Sequence, residues 1–186
     1  MRIITGTARG TRLRTLDGAD TRPTSERVKE AVFSAIQFDL QDRRVLDLFG
    51  GSGQMALEAL SRGASEAVIV DNARAATEII LENAKRTKLA ARCRVLTADW
   101  RDYLRGAAGK QQFGLVFLDP PYGAGLLDMV FEKLREADLL AEDAILIAES
   151  GRDGVPLPAE GYVQKLYRYS KTYISIFRRE PVGKTD

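Results

Sequence analysis

Val45-Leu46-Asp47-Leu48-Phe49-Gly50-Gly51-Ser52-Gly53 runs from a short apolar stretch into a glycine-rich turn. Residues 45–49 have the length and the branched or aromatic character of a buried strand, and residues 53–62 carry helical spacing. Glycines placed between the two make the turn tight and let the backbone approach a ligand closely. From here the chain alternates. Strands are expected at 67–70, 93–98, 115–118 and 144–148, with helices at 73–88, near 102–104 and at about 126–137. Short strands separated by helices imply a parallel sheet covered on both faces. Residues 162–169 and 172–177, joined by Ser170-Lys171, read as an antiparallel hairpin that finishes the sheet edge.

Upstream of the alternation, residues 1–16 vary weakly around Gly6 and Gly10. Arg2-Ile3-Ile4-Thr5 and Thr11-Arg12-Leu13-Arg14 read as a small basic β-hairpin, followed by a loop to Pro23. Thr24 or Ser25 is expected to cap the next helix. Its buried face holds Val28, Ala31, Val32, Ala35 and Ile36 at helical spacing. Two parts are therefore expected: residues 1–23 as a basic extension, and residues 24–186 as the α/β domain.

Acidic residues stand at successive strand ends. In open α/β sheets, ligands bind outside the carboxyl ends of the strands. Asp47 closes the first strand. Asp71 closes the second, where a carboxylate can accept from both ribose hydroxyls. Asp99, followed by Trp100, closes the third and is placed to accept from an adenine amino group. A dinucleotide site fits poorly: the turn lacks the G-x-G-x-x-G spacing, and the fifth strand is followed by a hairpin instead of a second nucleotide-binding half. There is no G-x-x-x-x-G-K-[ST] loop either. An adenosine ligand without a pyrophosphate suits the acids better. S-adenosylmethionine is such a ligand, with Asp47 facing its cationic methionine end.

Asp119-Pro120-Pro121-Tyr122 follows the fourth strand. Two consecutive prolines forbid helix and remove two N–H donors. The turn offers acceptors only: the Asp119 carboxylate and the carbonyl oxygens beside the prolines, with the Tyr122 ring next to them. A planar base carrying an –NH2 group suits such a corner.

Composition narrows the chemistry. The 186 residues contain no histidine and one cysteine. That removes Ser-His-Asp and Cys-His catalysis, an internal disulfide and multi-cysteine metal sites. Methyl transfer from a sulfonium needs no acid, because the leaving group departs neutral. Cys93 reads as a buried structural thiol. Net charge is only +2, but Arg9, Arg12, Arg14 and Arg22 gather in the N-terminal part, as local basic patches that bind phosphates do. No apolar stretch has the length of a membrane span, and a cytoplasmic, monomeric protein without metal is expected.

Taken together, the glycine loop, the acids after strands two and three, and Asp-Pro-Pro-Tyr after strand four resemble the class I S-adenosylmethionine-dependent methyltransferases. Three stretches narrow the resemblance to the bacterial 16S ribosomal RNA guanine-N2 methyltransferases. They are residues 2–10 (RIITGTARG), residues 22–33 (RPTSERVKEAVF), and Phe49-Gly50-Gly51-Ser52-Gly53 with LEALSRGA at 57–64. The resemblance implies a Rossmann-like, mostly parallel seven-stranded sheet with helices on both faces. Phe49, Gly51, Gly53, Asp71 and Asp99 would then bind the donor, with Asp119, Pro120 and Tyr122 holding the target guanine. Arg22-Pro23-Thr24 would border the active site, and the N-terminal hairpin would meet small-subunit ribosomal RNA. Gly50 stands where alanine is common in the family, and either small residue is expected to fit. The tetrad alone admits adenine N6 in DNA or RNA as well as guanine N2. A non-catalytic RNA-binding module is the remaining alternative, and the intact Asp119 beside an intact glycine loop argues against it.

Overall fold

The computed structural model of the chain describes residues 1–15, 23–121, 125–151, 155 and 158–179. In chain order the elements are α1 (Pro23–Ala35), β1 (Arg44–Asp47), α2 (Gln54–Ser61), β2 (Glu66–Asp71) and α3 (Arg74–Arg86). A 3-10 turn at Ala90–Arg92 leads into β3 (Cys93–Thr97), α4 (Trp100–Ala107), β4 (Phe113–Leu118), α5 (Leu126–Glu136), β5 (Leu140–Ser150), β6 (Tyr162–Tyr169) and β7 (Thr172–Arg179). The seven strands form one sheet in the order β3-β2-β1-β4-β5-β7-β6. Strands β1 to β5 pair in parallel, and β7 runs antiparallel to both β5 and β6. Chain progression reverses beside β1, which pairs with β2 on one side and β4 on the other. A crevice opens at such a switch point, beyond the carboxyl ends of the strands.

Strand alternation explains the two cores. Val45, Ile69, Leu115, Phe117 and Ile147 face one way, and α1, α2 and α3 cover them with Val32, Phe33, Leu57 and Ile80. Leu46, Val68, Val116 and Leu146 face the other way and meet α4 and α5 through Trp100, Leu104, Val130 and Leu134. Side chains of this size each contribute about 1.5–3 kcal/mol when buried. The helix near 102–104 proves longer than expected. Trp100, Tyr103, Leu104 and Ala107 are spaced to fill one face of α4, and all four are buried. Asp99 lies beyond the end of β3 and caps α4, accepting from the Arg101 N–H at 2.8 Å. Helix α1 begins at Pro23 itself, so Thr24 and Ser25 belong to its first turn and do not precede it as a cap. Cys93 opens β3, half-buried against the first core, and burial pushes its thiol up to about 11.

The N-terminal segment pairs back on itself as the expected hairpin, over a short stretch. Only one antiparallel bridge forms, between Arg2 and Arg12, flanked by bonds such as Ile3 N–H to Thr11 O at 3.0 Å. The intervening backbone leaves that pairing and bonds to α2. Glu58 accepts the N–H groups of Ile4 and Thr5 at 2.8 and 3.0 Å, and Ser61 Oγ accepts that of Ala8 at 2.9 Å. Gly6 sits at φ +89°, where a Cβ would collide with the Ser61 carbonyl. Glu58 also pairs with Lys29 of α1 at 3.3 Å and Arg62 at 2.8 Å, and Lys29 donates to the Arg2 carbonyl at 2.5 Å. Both Lys29 and Glu58 are buried, so the segment is fastened to the domain through a paired interior charge.

Candidate functional site

The glycine loop between β1 and α2 is built around backbone hydrogen bonds. Gly50 N–H reaches the Val70 carbonyl of β2 at 2.9 Å, and Gly53 N–H reaches Gly50 O at 2.7 Å. Gly51 and Gly53 hold φ of +55° and +75°, a region that favours glycine. A Cβ on Gly51 would meet no atom within 4 Å, so the loop presents bare backbone to open space. Gly50 is different. A Cβ there would lie 2.5 Å from Ile69 Cγ2 and 2.9 Å from Ile80 Cδ1, so alanine enters only if those side chains move. The expectation that either small residue fits is corrected accordingly.

Asp71 fixes this loop. One carboxylate oxygen accepts the Gly51 N–H at 2.9 Å, and the other accepts the Ala73 N–H at 2.9 Å. Each oxygen keeps further lone-pair capacity toward the cavity. From behind, Asn83 of α3 donates its amide to the Ser52 carbonyl and to the Arg14 carbonyl, both at 2.9 Å, and accepts the Arg14 N–H at 2.8 Å. Sequence reasoning missed Asn83, since nothing in a helical heptad marks an asparagine whose partners are this distant in the chain.

A cavity of about 640 Å³ lies over the carboxyl ends of the strands. It brings together Phe49, Gly51, Asp71, Asp99, Trp100, Asp119 and Pro120 from the residues expected, and adds Arg101 and Glu149. Phe49 and Trp100 pack with ring centroids 6.4 Å apart, and the Arg101 guanidinium lies 4.4 Å over the Trp100 ring. Asp47 and Gly53 are not on the cavity wall. Gly53 caps α2 through its backbone conformation. Asp47 lies beneath the loop, only 4% exposed, which corrects the expectation that it faces the ligand. Burial, together with the Asp71 charge, pushes its carboxyl up to about 7, partly offset by the N–H groups of Phe49 and Ala56.

Asp119 opens onto the cavity at the end of β4, and Pro120 behind it is buried. Asp119 itself is exposed to the cavity, while the protein on its inner side limits its solvation. This loss of solvation, with the charges of Glu149 and Asp47, pushes it up to about 7. Glu149 is the last residue but one of β5, as Asp119 follows β4, and the rule that ligands gather at strand ends would have found it. Among the described residues, no group of three or more acids, cysteines or histidines is arranged to hold a metal ion. No helix among them is long and apolar enough to cross a membrane.

Of the basic residues, Arg9 and Arg12 are exposed, and Arg14 is exposed but paired with Glu82 at 2.6 Å. Tyr122 and Arg22 lie outside the described residues. A second hollow of about 390 Å³ sits at the opposite strand ends. There Arg43 is already committed to the Gly114 carbonyl at 2.8 Å and Asp143 at 2.7 Å.

Comparison with known proteins gives one direction. A family model described as Conserved hypothetical protein 95 matches residues 1–178. The Ribosomal RNA small subunit methyltransferase D of Escherichia coli strain K12 is 32% identical over 188 aligned positions, spanning 100% of this chain and 93% of its own. The solved Escherichia coli protein yhhF, described as a methyltransferase, superposes with a TM-score of 0.87 at 32% identity, over 97% of this chain and 98% of its own. An O-methyltransferase from Bacillus cereus, solved in complex with SAH, shares the fold at a TM-score of 0.69 and 14% identity, over 88% of this chain and 84% of its own.

Proposed function

The chain belongs to the Conserved hypothetical protein 95 family, and on that footing we propose that it transfers a methyl group from S-adenosylmethionine to the exocyclic N2 of a guanine in small-subunit ribosomal RNA. The observation that carries this reading is the meeting, in one cavity, of the Asp71-locked glycine loop with Asp119 and Pro120. The loop side fits an adenosine-bearing donor. Gly51 leaves room for it, Asp71 retains acceptor capacity for ribose hydroxyls, and Phe49 and Trp100 give an aromatic wall beside Asp99. The Asp119 side fits an amino group, which needs acceptors.

Bound S-adenosylmethionine supplies an electrophilic methyl group on a sulfonium whose leaving group departs neutral. The residues of this chain supply the rest. An exocyclic amine is a weak nucleophile because its lone pair is delocalised into the base. Asp119 and the Pro120 carbonyl accept its two N–H bonds and draw them out of the base plane, which localises the lone pair for attack. The N–C bond forms as the S–C bond breaks, and Asp119 takes the proton that nitrogen then sheds. Positioning provides most of the acceleration, at best about 7–11 kcal/mol. Tyr122 stacks on the base, an interaction worth about 1–3 kcal/mol. Arg9, Arg12, Arg14 and Arg22 meet phosphates of a pre-folded RNA surface. A single domain that borrows its specificity from such a surface works better on a precursor or assembled subunit than on short RNA.

The test is nucleoside mass spectrometry after incubation of labelled donor with unmethylated small subunits, naked ribosomal RNA and duplex DNA. N2-methylguanosine from the ribosomal substrates is the expected product. N6-methyladenine from DNA, with no methylguanosine from any RNA, would replace this reading with adenine-N6 methylation.

A further inference from the structure

Asp119 has a neighbour of like charge that the amine chemistry above does not use. Leu118 of β4 pairs in parallel register with Ala148 of β5; Asp119 is the first residue past β4, and Glu149 is the next residue of β5. Both residues line the same cavity, and the Glu149 charge acts on Asp119 more strongly than that of Asp47. Two neighbouring carboxylates in one hollow repel each other, and such an arrangement is found where a site needs it. Among the described residues no metal cluster accounts for the pair.

Ionised carboxylates accept and do not donate, so two of them side by side fit a ligand edge with two neighbouring donors. Among the bases that carry an amino group, guanine alone has this edge. Its N2 amine adjoins N1–H. Adenine sets its N6 amine beside an N1 lone pair, and cytosine sets its N4 amine beside an N3 lone pair. With Asp119 on the amine, Glu149 would face a donor in guanine and a lone pair in either of the others.

Resting on the guanine-N2 reading above, we infer that Glu149 is the specificity residue of this site, accepting guanine N1–H while Asp119 holds the N2 amine. The tetrad then says which chemical group is methylated, and the end of β5 says which base bears it. A pocket built to bond a substrate N–H rejects analogues lacking it, by as much as about 10⁴-fold where the bond is buried. The half-buried Glu149 should discriminate by about 100-fold.

2-Aminopurine keeps the 2-amino group, replaces N1–H with a lone pair and lacks O6, so its use by wild type and by a Glu149 variant is compared. The methylated guanosine is first located with the wild-type protein by mass spectrometry. Ligated RNA carrying guanosine or 2-aminopurine at that position is then assembled into particles and assayed with wild-type protein and with Glu149→Gln, whose amide can donate to the lone pair. The wild type should prefer guanine by about 100-fold. Glu149→Gln should lose activity on guanine and narrow or invert that preference by at least about tenfold, with donor affinity by calorimetry unchanged. Equal use of both bases by the wild type would overturn the inference, as would an unchanged preference in Glu149→Gln, while leaving guanine-N2 methylation standing. Absence of any N2-methylguanosine from the wild type would remove both together.

Discussion

The Asp71 carboxylate accepts the Gly51 N–H at 2.9 Å across a separation of 20 residues. The residue expected to receive a ribose thus also sets the shape of the loop that admits the donor. Asp71→Ala should therefore weaken donor binding through both routes. Hydrogen bonds to a charged group contribute about 1.5–3 kcal/mol each, so an affinity loss of about 10-fold to 150-fold is expected by calorimetry. Gly51→Val should do comparable damage for another reason, since it puts branched bulk at φ +55° where the cavity is open. Donor affinity preserved in both variants would refute the assigned donor site.

Asp119→Ala should lower turnover by at least about 100-fold while donor affinity stays within a few-fold, because the carboxylate serves the base. Single-turnover assays at saturating donor make the comparison. A variant that keeps near wild-type turnover contradicts the proposed mechanism.

Asp119 and Asp47 are both pushed up to about 7 from the ordinary carboxyl value of 3.8. Between about pH 4 and 7 the folded protein then binds more protons than the unfolded chain. Stability from these groups is fully present below the unfolded value and is lost as pH rises through about 7. Activity runs the opposite way, since protonated Asp119 presents a donor to the amine and cannot take its proton. Turnover should rise through about pH 7, and Asp119→Asn should melt higher than wild type at pH 8 while being a poorer enzyme. Calorimetric melting and pH–rate profiles check the two slopes. A melting temperature for Asp119→Asn below that of wild type at pH 8 contradicts the assignment.

RNA affinity should fall with salt at a slope of about −0.7 to −0.9 per phosphate contact. Arg9 and Arg12 project freely, while Arg14 is held by Glu82. Changing Arg9 and Arg12 to Ala should flatten the slope, and adding Arg14→Ala should change it less than either of the others. Filter binding at several salt concentrations gives the slopes, and an unaltered slope in the double variant would remove these arginines from the interface.

Glu58→Ala should cost about 3–5 kcal/mol, the range for breaking a buried ion pair by removing one partner. Lys29 and Glu58 are 1% and 0% exposed. Denaturant unfolding is the measurement, and a loss below about 1 kcal/mol would mean that the pair is not buried in solution.

The fold was legible because its signals are local and periodic. Strands β1 and β4 can be read from their short apolar runs, whereas α4, expected only near 102–104, extends over Trp100–Ala107. Asp71, Asp99 and Asp119 line one cavity, as expected of residues at strand ends in such a sheet. The N-terminal hairpin is shorter than its alternation suggests for a physical reason: Glu58 takes the Ile4 and Thr5 N–H groups out of the pairing. Asp47 was misjudged because position at a strand end does not say whether the loop above it leaves the carboxylate exposed.

Glu58, Ser61 and Asn83 collect the backbone of residues 4–14 across separations of 53 to 69 residues. During synthesis residues 4–14 emerge before α2 and α3 and must wait for them to bond. Contacts this distant in sequence form late, since the intervening chain must be closed before they reward it. Asn83 also holds the Ser52 carbonyl, so the glycine loop reaches its final shape only when the segment ending at Arg14 docks. In refolding experiments the sheet should appear before the ability to bind donor, and the lag between them should lengthen when Asn83 is replaced by Ala.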